Sequence, residues 1–470
     1  MQKSIVLKKK YVHLVEQTFE FPQNRFSLDE NFDLLFENIN LKAIAKKYGT
    51  PLKITYLNKI GEQIEKSRMW FQNAINRAAF SGTYHYCYCT KSSHFKFVLE
   101  EVLSHGAHIE TSSAFDMVLI ENLRRSGKLN LDKKIICNGY KTAEYLNEIA
   151  RFLELGYNNL VVVLDNKTEL NRLKSLTRKP IKLGIRIASE EEPKFAFYTS
   201  RLGIGYKDIL PYYKLAIEDD KQVSLQMLHF FINTGIHDTA YYWNELRKAL
   251  NVYTSLAKVC SSVNDLNIGG GLPIPHSLKF NFEYAEMVNE IVLQIKTHCS
   301  DANIQHPDIY TEFGSFTVGE SGLTLFKVLK QKQQNDRERW NLIDGSFMTT
   351  LPDTWAINKR FILFPLNAWD YEYERVLLGG LTCDSDDYYN SEQHTNAIYL
   401  PKLEKEDLYI GFFNTGAYQE SLSGYGGIQH CLIPYPKHLL MRKLENGDLD
   451  IEVFREAQQS TEMLKTLGYD

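Results

Sequence analysis

Between Tyr84 and Phe316, short apolar runs alternate with segments whose apolar residues recur at helical spacing. The runs are TYHYCYCT, AHIE, KIICNG, NLVVVLD, IKLGIRIA, LQMLHFFI, DLNIGGG and DIYTEF. In the first intervening segment Phe95, Val98, Leu99, Val102 and Leu103 fall at i, i+3, i+4, i+7 and i+8, one apolar face of a helix, and Gly106 stops it. The same pattern predicts helices over 114–125, ahead of Gly127, and over 142–155, ahead of Gly156. Strands alternating with helices imply a parallel sheet. Eight units across about 230 residues fit a closed (β/α)8 TIM barrel, typically about 250 residues long. An open doubly wound sheet is the competitor.

After Gly322 the pattern changes. LTLFKVLKQ, RVLLGGLT, NAIYL and LYIGFF are strand-like runs between polar loops and predict an all-β domain. Ahead of the barrel, DLLFENINLKAIAKKYG reads as a helical stretch, and TPLKITY as a segment that packs on the barrel or lends a strand to the β domain. The expected organisation is α/β: a barrel over 41–322, and a β-rich domain made of 1–40 plus 323–470.

Composition narrows the function classes. The chain has 470 residues, 44% apolar and 24% charged, ordinary for a globular protein. A net charge of -4 offers no basic surplus for nucleic acid. The basic N-terminus lacks the apolar run and cleavage site of a signal peptide, and no run is long enough to span a membrane. The seven cysteines include no CxxC pair, which fits free thiols in a reducing cytoplasm. Cys87, Cys89, Cys137, Cys260, Cys299 and Cys431 read as buried small apolar groups, and no His/Cys/Asp cluster shows metal-ligand spacing. His85, His94 and His105 read as packing or helix-surface residues.

In a barrel, chemistry gathers at the C-terminal ends of the strands. Those ends carry Lys91, Glu110, Asn138, Asp165, Arg186, His229 with Asn233 and Thr234, Gly269 to Gly271, and Glu312. Three glycines after a strand let backbone N–H groups approach an anion, although a tight turn uses the same residues. A strand-end lysine forms a Schiff base if its amine is desolvated, and an acid such as Glu312 can keep a proton on a pyridine nitrogen. Lysine, phosphate loop and acid together suggest pyridoxal 5′-phosphate.

The stretches YCTKSSHF, LNIGGGLP, YTEFGS, LTCDSDD and GFFNTGAYQE resemble the fold-type III pyridoxal-phosphate-dependent decarboxylases, and LPDTWAI, LLGGLTCDSDD and IGFFNTGAYQE look most like the biosynthetic arginine decarboxylases among them. The resemblance runs from about Tyr48 to Leu439. It implies a barrel followed by a β domain, and a homodimer with shared active sites. Residue by residue, it implies Lys91 as the Schiff-base lysine, Glu312 as the acid on the pyridine nitrogen, and Gly269, Gly270, Gly271 and Tyr418 as phosphate-binding groups. Glu110 and Arg186 match an acid and an arginine near the lysine. Cys383 matches a cysteine, contributed across the dimer, that returns a proton to the product carbon. Asp384 lies where the family holds the far end of the substrate. Asp384 and Asp386 are read as gripping a guanidinium, and Asp387 as an acid of a solvated loop.

Three departures stand out. His-x-His becomes His229-Phe230-Phe231, with Phe231 in the place of the histidine that stacks on the cofactor ring. Gly-Ser becomes Asn233-Thr234, where Thr234 keeps a hydroxyl for the phosphate. Glu-Pro-Gly-Arg becomes Glu312-Phe313-Gly314-Ser315, which removes an arginine that normally meets the phosphate. The function implied is decarboxylation of arginine to agmatine, feeding putrescine and spermidine synthesis. Some enzymes of this type use magnesium, and no residue pattern locates a site for it. The rivals are a decarboxylase of ornithine, lysine, carboxynorspermidine or diaminopimelate, an amino-acid racemase on the same barrel, and a pyridoxal-phosphate-binding pseudoenzyme.

Overall fold

The computed structural model describes residues 9–469 except 22, 24, 191–195, 390–397 and 403–405. All eight expected barrel strands form: β1 (Tyr84–Cys89), β2 (His108–Thr111), β3 (Ile135–Cys137), β4 (Leu160–Leu164), β5 (Ile181–Arg186), β6 (Val223–His229), β7 (Asp265–Asn267) and β8 (Asp308–Phe313). They pair in parallel in chain order, and β8 closes on β1 with Glu312 opposite Cys87 and Phe313 opposite Tyr88. The open sheet is thereby excluded. Cys87, Ile136, Val161, Val163, Met227 and Tyr310 fill the interior, so the barrel is a packed core. The helices expected over 114–125 and 142–155 run Ala114–Arg125 and Ala143–Glu154, with Ser113 and Thr142 accepting from backbone N–H groups of their first turns.

The chain divides into a barrel unit, Lys59–Pro273 with Phe282–Val318, and a sheet unit, Met1–Asn58 with Ile274–Asn281 and Gly319–Asp470. Residues 41–58, expected in the barrel, thus belong to the sheet unit. The cause is Leu52–Tyr56, a fully buried strand that pairs antiparallel with Gly322–Gln333 and parallel with Lys437–Lys443 in a 10-stranded sheet. Trp369, Phe364, Phe413, Leu323 and Met441 are part of the core packed around it.

One expected helix is half wrong. Within DLLFENINLKAIAKKYG only Leu41–Tyr48 is helical, capped by the Asn40 side chain. Leu34–Phe36 and Ile39–Asn40 form a hairpin instead. Its two turn residues, Glu37 and Asn38, both take positive φ (52° and 68°), the conformation that matches the twist of a two-residue hairpin.

Candidate active site

Lys91 sits in a single 3₁₀ turn, Thr90–Ser92, directly after β1. That turn is packed tightly: a Cβ on Gly314 would lie 1.9 Å from Ser92 Oγ. Lys91 Nζ lies 3.8 Å from Glu110 Oε2 at the end of β2, with the lysine half exposed and the carboxylate fully buried.

Glu312, on β8, is the most heavily contacted acid of the strand ends. Its Oε1 accepts from Asn138 Nδ2 (2.8 Å) and Asn267 Nδ2 (2.6 Å), and its Oε2 lies 3.3 Å from His229 Nε2. Burial pushes the Glu312 carboxyl up, but His229, Lys91 and Asn138 outweigh it and hold it at about 2. Glu110 moves the other way: burial raises it, Lys91 pulls it back and Glu312 pushes it further up, with a net rise. Two carboxyls in one chamber are thus driven in opposite directions, the arrangement that separates a permanent anion from a proton carrier.

Glycines 269 to 271 form the turn after β7. Gly269 (φ 69°) and Gly271 (φ 97°) take left-handed backbone, and a Cβ on Gly270 would stand 2.1 Å from the Glu312 carbonyl oxygen. Gly269 donates its N–H to Asn267 Oδ1 (2.9 Å), and its carbonyl accepts from Glu312 N (2.8 Å). The triplet therefore locks β7 to β8 and seats Glu312. Arg186, at the end of β5, lies over the Phe231 ring with its guanidinium carbon 5.4 Å from the centroid, and burial lowers its pKa. Arg186 Nε, Thr234 Oγ1 and both Glu110 oxygens are buried without a hydrogen-bond partner. Asp165 serves structure, accepting from Gly203 N at 2.9 Å.

Asn267 was not singled out by sequence reasoning. The signal was present, since in DLNIGGG an amide interrupts an apolar strand.

The other expected residues belong to the sheet unit. Tyr418 has φ 68° and begins the helix Gln419–Ser423. Gln419 Nε2 donates to Asp353 Oδ2 (2.7 Å), so the motifs LPDTWAI and GAYQE are two sides of one lock. Cys383, Asp384 and Asp386 lie on the loop 380–387. Asp387 is buried, not solvated: it accepts from Thr382 N (3.0 Å), Thr382 Oγ1 (2.7 Å), Ser346 Oγ (3.0 Å) and Phe347 N (2.8 Å). Asp384 Oδ1 accepts from Asp386 N at 2.9 Å, and Asp386 is exposed. Cys431 is also corrected. Five of the six cysteines read as core are buried, but Cys431 is exposed beside Cys383.

Residues 62–319 match the family model for the pyridoxal binding domain of pyridoxal-dependent decarboxylases, and the chain belongs to that family. It is 22% identical to a biosynthetic arginine decarboxylase of Geobacter sp. (strain M21), over 96% of this chain and 87% of the relative. It is likewise 22% identical to arginine decarboxylase 1, chloroplastic, of Arabidopsis thaliana, over 91% and 78%. In fold it is similar to the biosynthetic arginine decarboxylase of Campylobacter jejuni (TM-score 0.79, 20% identity, 98% of this chain and 90% of that one). It is also similar to diaminopimelate decarboxylase of Helicobacter pylori (TM-score 0.71, 18% identity, 91% and 98%). Among the described residues, no helix is long and apolar enough to cross a membrane.

Proposed function

We propose that the protein decarboxylates L-arginine to agmatine and CO2 with pyridoxal 5′-phosphate, in the cytoplasm, as a step toward putrescine and spermidine. The observation that carries the chemistry is the Glu312 carboxylate, buried and kept charged by Asn138, Asn267 and His229.

The barrel residues suit this cofactor. It needs an amine for its aldehyde, an anion for its ring nitrogen and donors for its phosphate. Lys91 offers the amine and Glu312 the anion. The unpartnered Thr234 Oγ1 and Arg186 Nε are buried polar groups that a ligand would satisfy. In this reading Phe231 would stack on the ring, Gly269, Gly270 and Gly271 would meet the phosphate, Glu110 would stand by the lysine, and Tyr418 is the further phosphate-binding group that the resemblance implies. Bound, the cofactor supplies an electron sink for the pair left by the departing carboxylate. Glu312 would hold a proton on its ring nitrogen. Cys383, contributed across a homodimer, would return a proton to the product carbon.

The substrate reading rests on the relatives named arginine decarboxylase along more than nine-tenths of the chain and on Asp384 and Asp386, which match a guanidinium in charge and geometry. The test is mass spectrometry of products from arginine, ornithine, lysine and diaminopimelate incubated with protein and cofactor. Agmatine as the dominant product is expected. A different amine would overturn the substrate, and no product despite bound cofactor would favour a pseudoenzyme. Repeating the assay with EDTA tests the magnesium that the resemblance allows.

A further inference from the structure

We propose that Cys383, His430 and Cys431 form a binding site for a thiophilic divalent cation, zinc foremost, and that its occupancy silences the decarboxylase. The second half rests on the role given above to Cys383.

Sequence spacing hides this site, because Cys383 is far along the chain from the adjacent pair His430-Cys431. The fold brings them together. Cys383 Sγ lies 3.4 Å from Cys431 Sγ, and the ligand atoms of all three side chains fall within 4.8 Å of one another. Tetrahedral zinc with bonds of about 2.3 Å to sulfur and about 2.0 Å to nitrogen places its ligand atoms about 3.5–3.8 Å apart. The sulfur pair is within a few tenths of an ångström of that spacing, and the imidazole needs a shift of at most about 1 Å. A disulfide would need the sulfurs at about 2.05 Å. Asp384 Oδ2 lies 3.8 Å from His430 Nε2, beside the cluster, where its charge can orient the imidazole.

Both arms are fixed in advance. The Cys383 loop is pinned by the five hydrogen bonds to the Asp387 carboxylate. The opposite turn holds Cys431 (φ 54°) and Leu432 (φ 53°) in left-handed backbone, a conformation rare for residues with side chains and one that has to be imposed by its surroundings. On the single chain all three side chains are exposed.

The step balances without an oxidant. Each thiol gives its proton to solvent, two metal–sulfur bonds form, neutral His430 adds a nitrogen, and the cation with two thiolates is electrically neutral. A Cys383 sulfur held by metal has no proton to give.

The test uses the reduced holoenzyme titrated with Co2+ alone. Expected are thiolate charge-transfer absorbance and the intense visible bands of tetrahedral cobalt, at one ion per chain, with zinc displacing it and inhibiting reversibly by chelator. Cys431→Ser should weaken cobalt at least about 10-fold and remove zinc inhibition while leaving basal turnover intact. His430→Gln should keep the charge transfer but shift the visible bands. A wild-type protein with no tetrahedral spectrum, or a Cys431→Ser variant with an unchanged one, would overturn the site. So would reduced protein that takes up no metal while the untreated protein is lighter by two hydrogens, the mark of an oxidised pair. If the Cys431-dependent spectrum appears but Cys383→Ala turns over at the full rate, the metal site stands and the proton-return assignment falls.

Discussion

His229 Nε2 lies 3.3 Å from Glu312 Oε2, with both side chains buried in the barrel. The contact fixes a pH dependence. A carboxyl held at about 2 against an ordinary value of 4.5 adds stability that is complete above 4.5 and disappears as pH falls toward 2. Thermal melts between those limits should show a decline in the wild type that is shallower in Glu312→Gln. The same variant should lower kcat by roughly 10²–10³-fold, the scale for losing one preorganised electrostatic group. A kcat within a few-fold of wild type would remove Glu312 from the chemistry.

Lys91 projects from a rigid turn with its amine 3.8 Å from Glu110. Lys91→Ala should abolish the visible absorbance of bound cofactor and cut kcat/KM by about 10³-fold or more, as loss of a covalent catalyst does. Because Lys91 offsets the fully buried Glu110 carboxyl, the melting temperature without cofactor should also fall modestly. A yellow, active variant would refute the assignment.

Gly270→Ala tests the glycine turn. The new methyl would meet the Glu312 carbonyl oxygen at 2.1 Å, a backbone atom that cannot swing aside. Overpacking of this kind costs about 1–3 kcal/mol. Denaturant titration should show that loss together with weaker cofactor binding, because the displaced strand carries Glu312.

Asp387 and Asp386 are neighbours with opposite expectations. Asp387→Ala strands five donors and should cost about 3 kcal/mol of stability. Asp386→Ala removes an exposed carboxylate, so it should leave the melting temperature unchanged while raising KM for arginine. Equal effects of the two on stability would contradict the buried anchor.

The barrel was legible because each strand is a short apolar run closed by a glycine-punctuated helix, a pattern that long-range contacts reinforce. Leu34–Phe36 was not. Its apolar run continues into LKAIA at a spacing a helix tolerates, and only the turn chemistry of Glu37-Asn38 separates the two. At the site, Lys91, Glu110 and Glu312 stand out as charges ending apolar strands. Asn267 did not, because one amide in an apolar run carries no charge to draw attention. Cys431 was misread for a plain reason: thiols are usually buried, and nothing local to it reveals a partner almost fifty positions earlier.

Leu52–Tyr56 leaves the ribosome before any barrel strand, yet one of its two flanking strands is Gly322–Gln333 and the other is Lys437–Lys443. Its apolar side chains and both rows of amides must therefore wait, unpaired, through the synthesis of nearly the whole polypeptide. The barrel has no such debt and can close once β8 emerges. Nascent chains of this protein should accordingly be most vulnerable at their oldest end, where a holding chaperone has the most surface to shield.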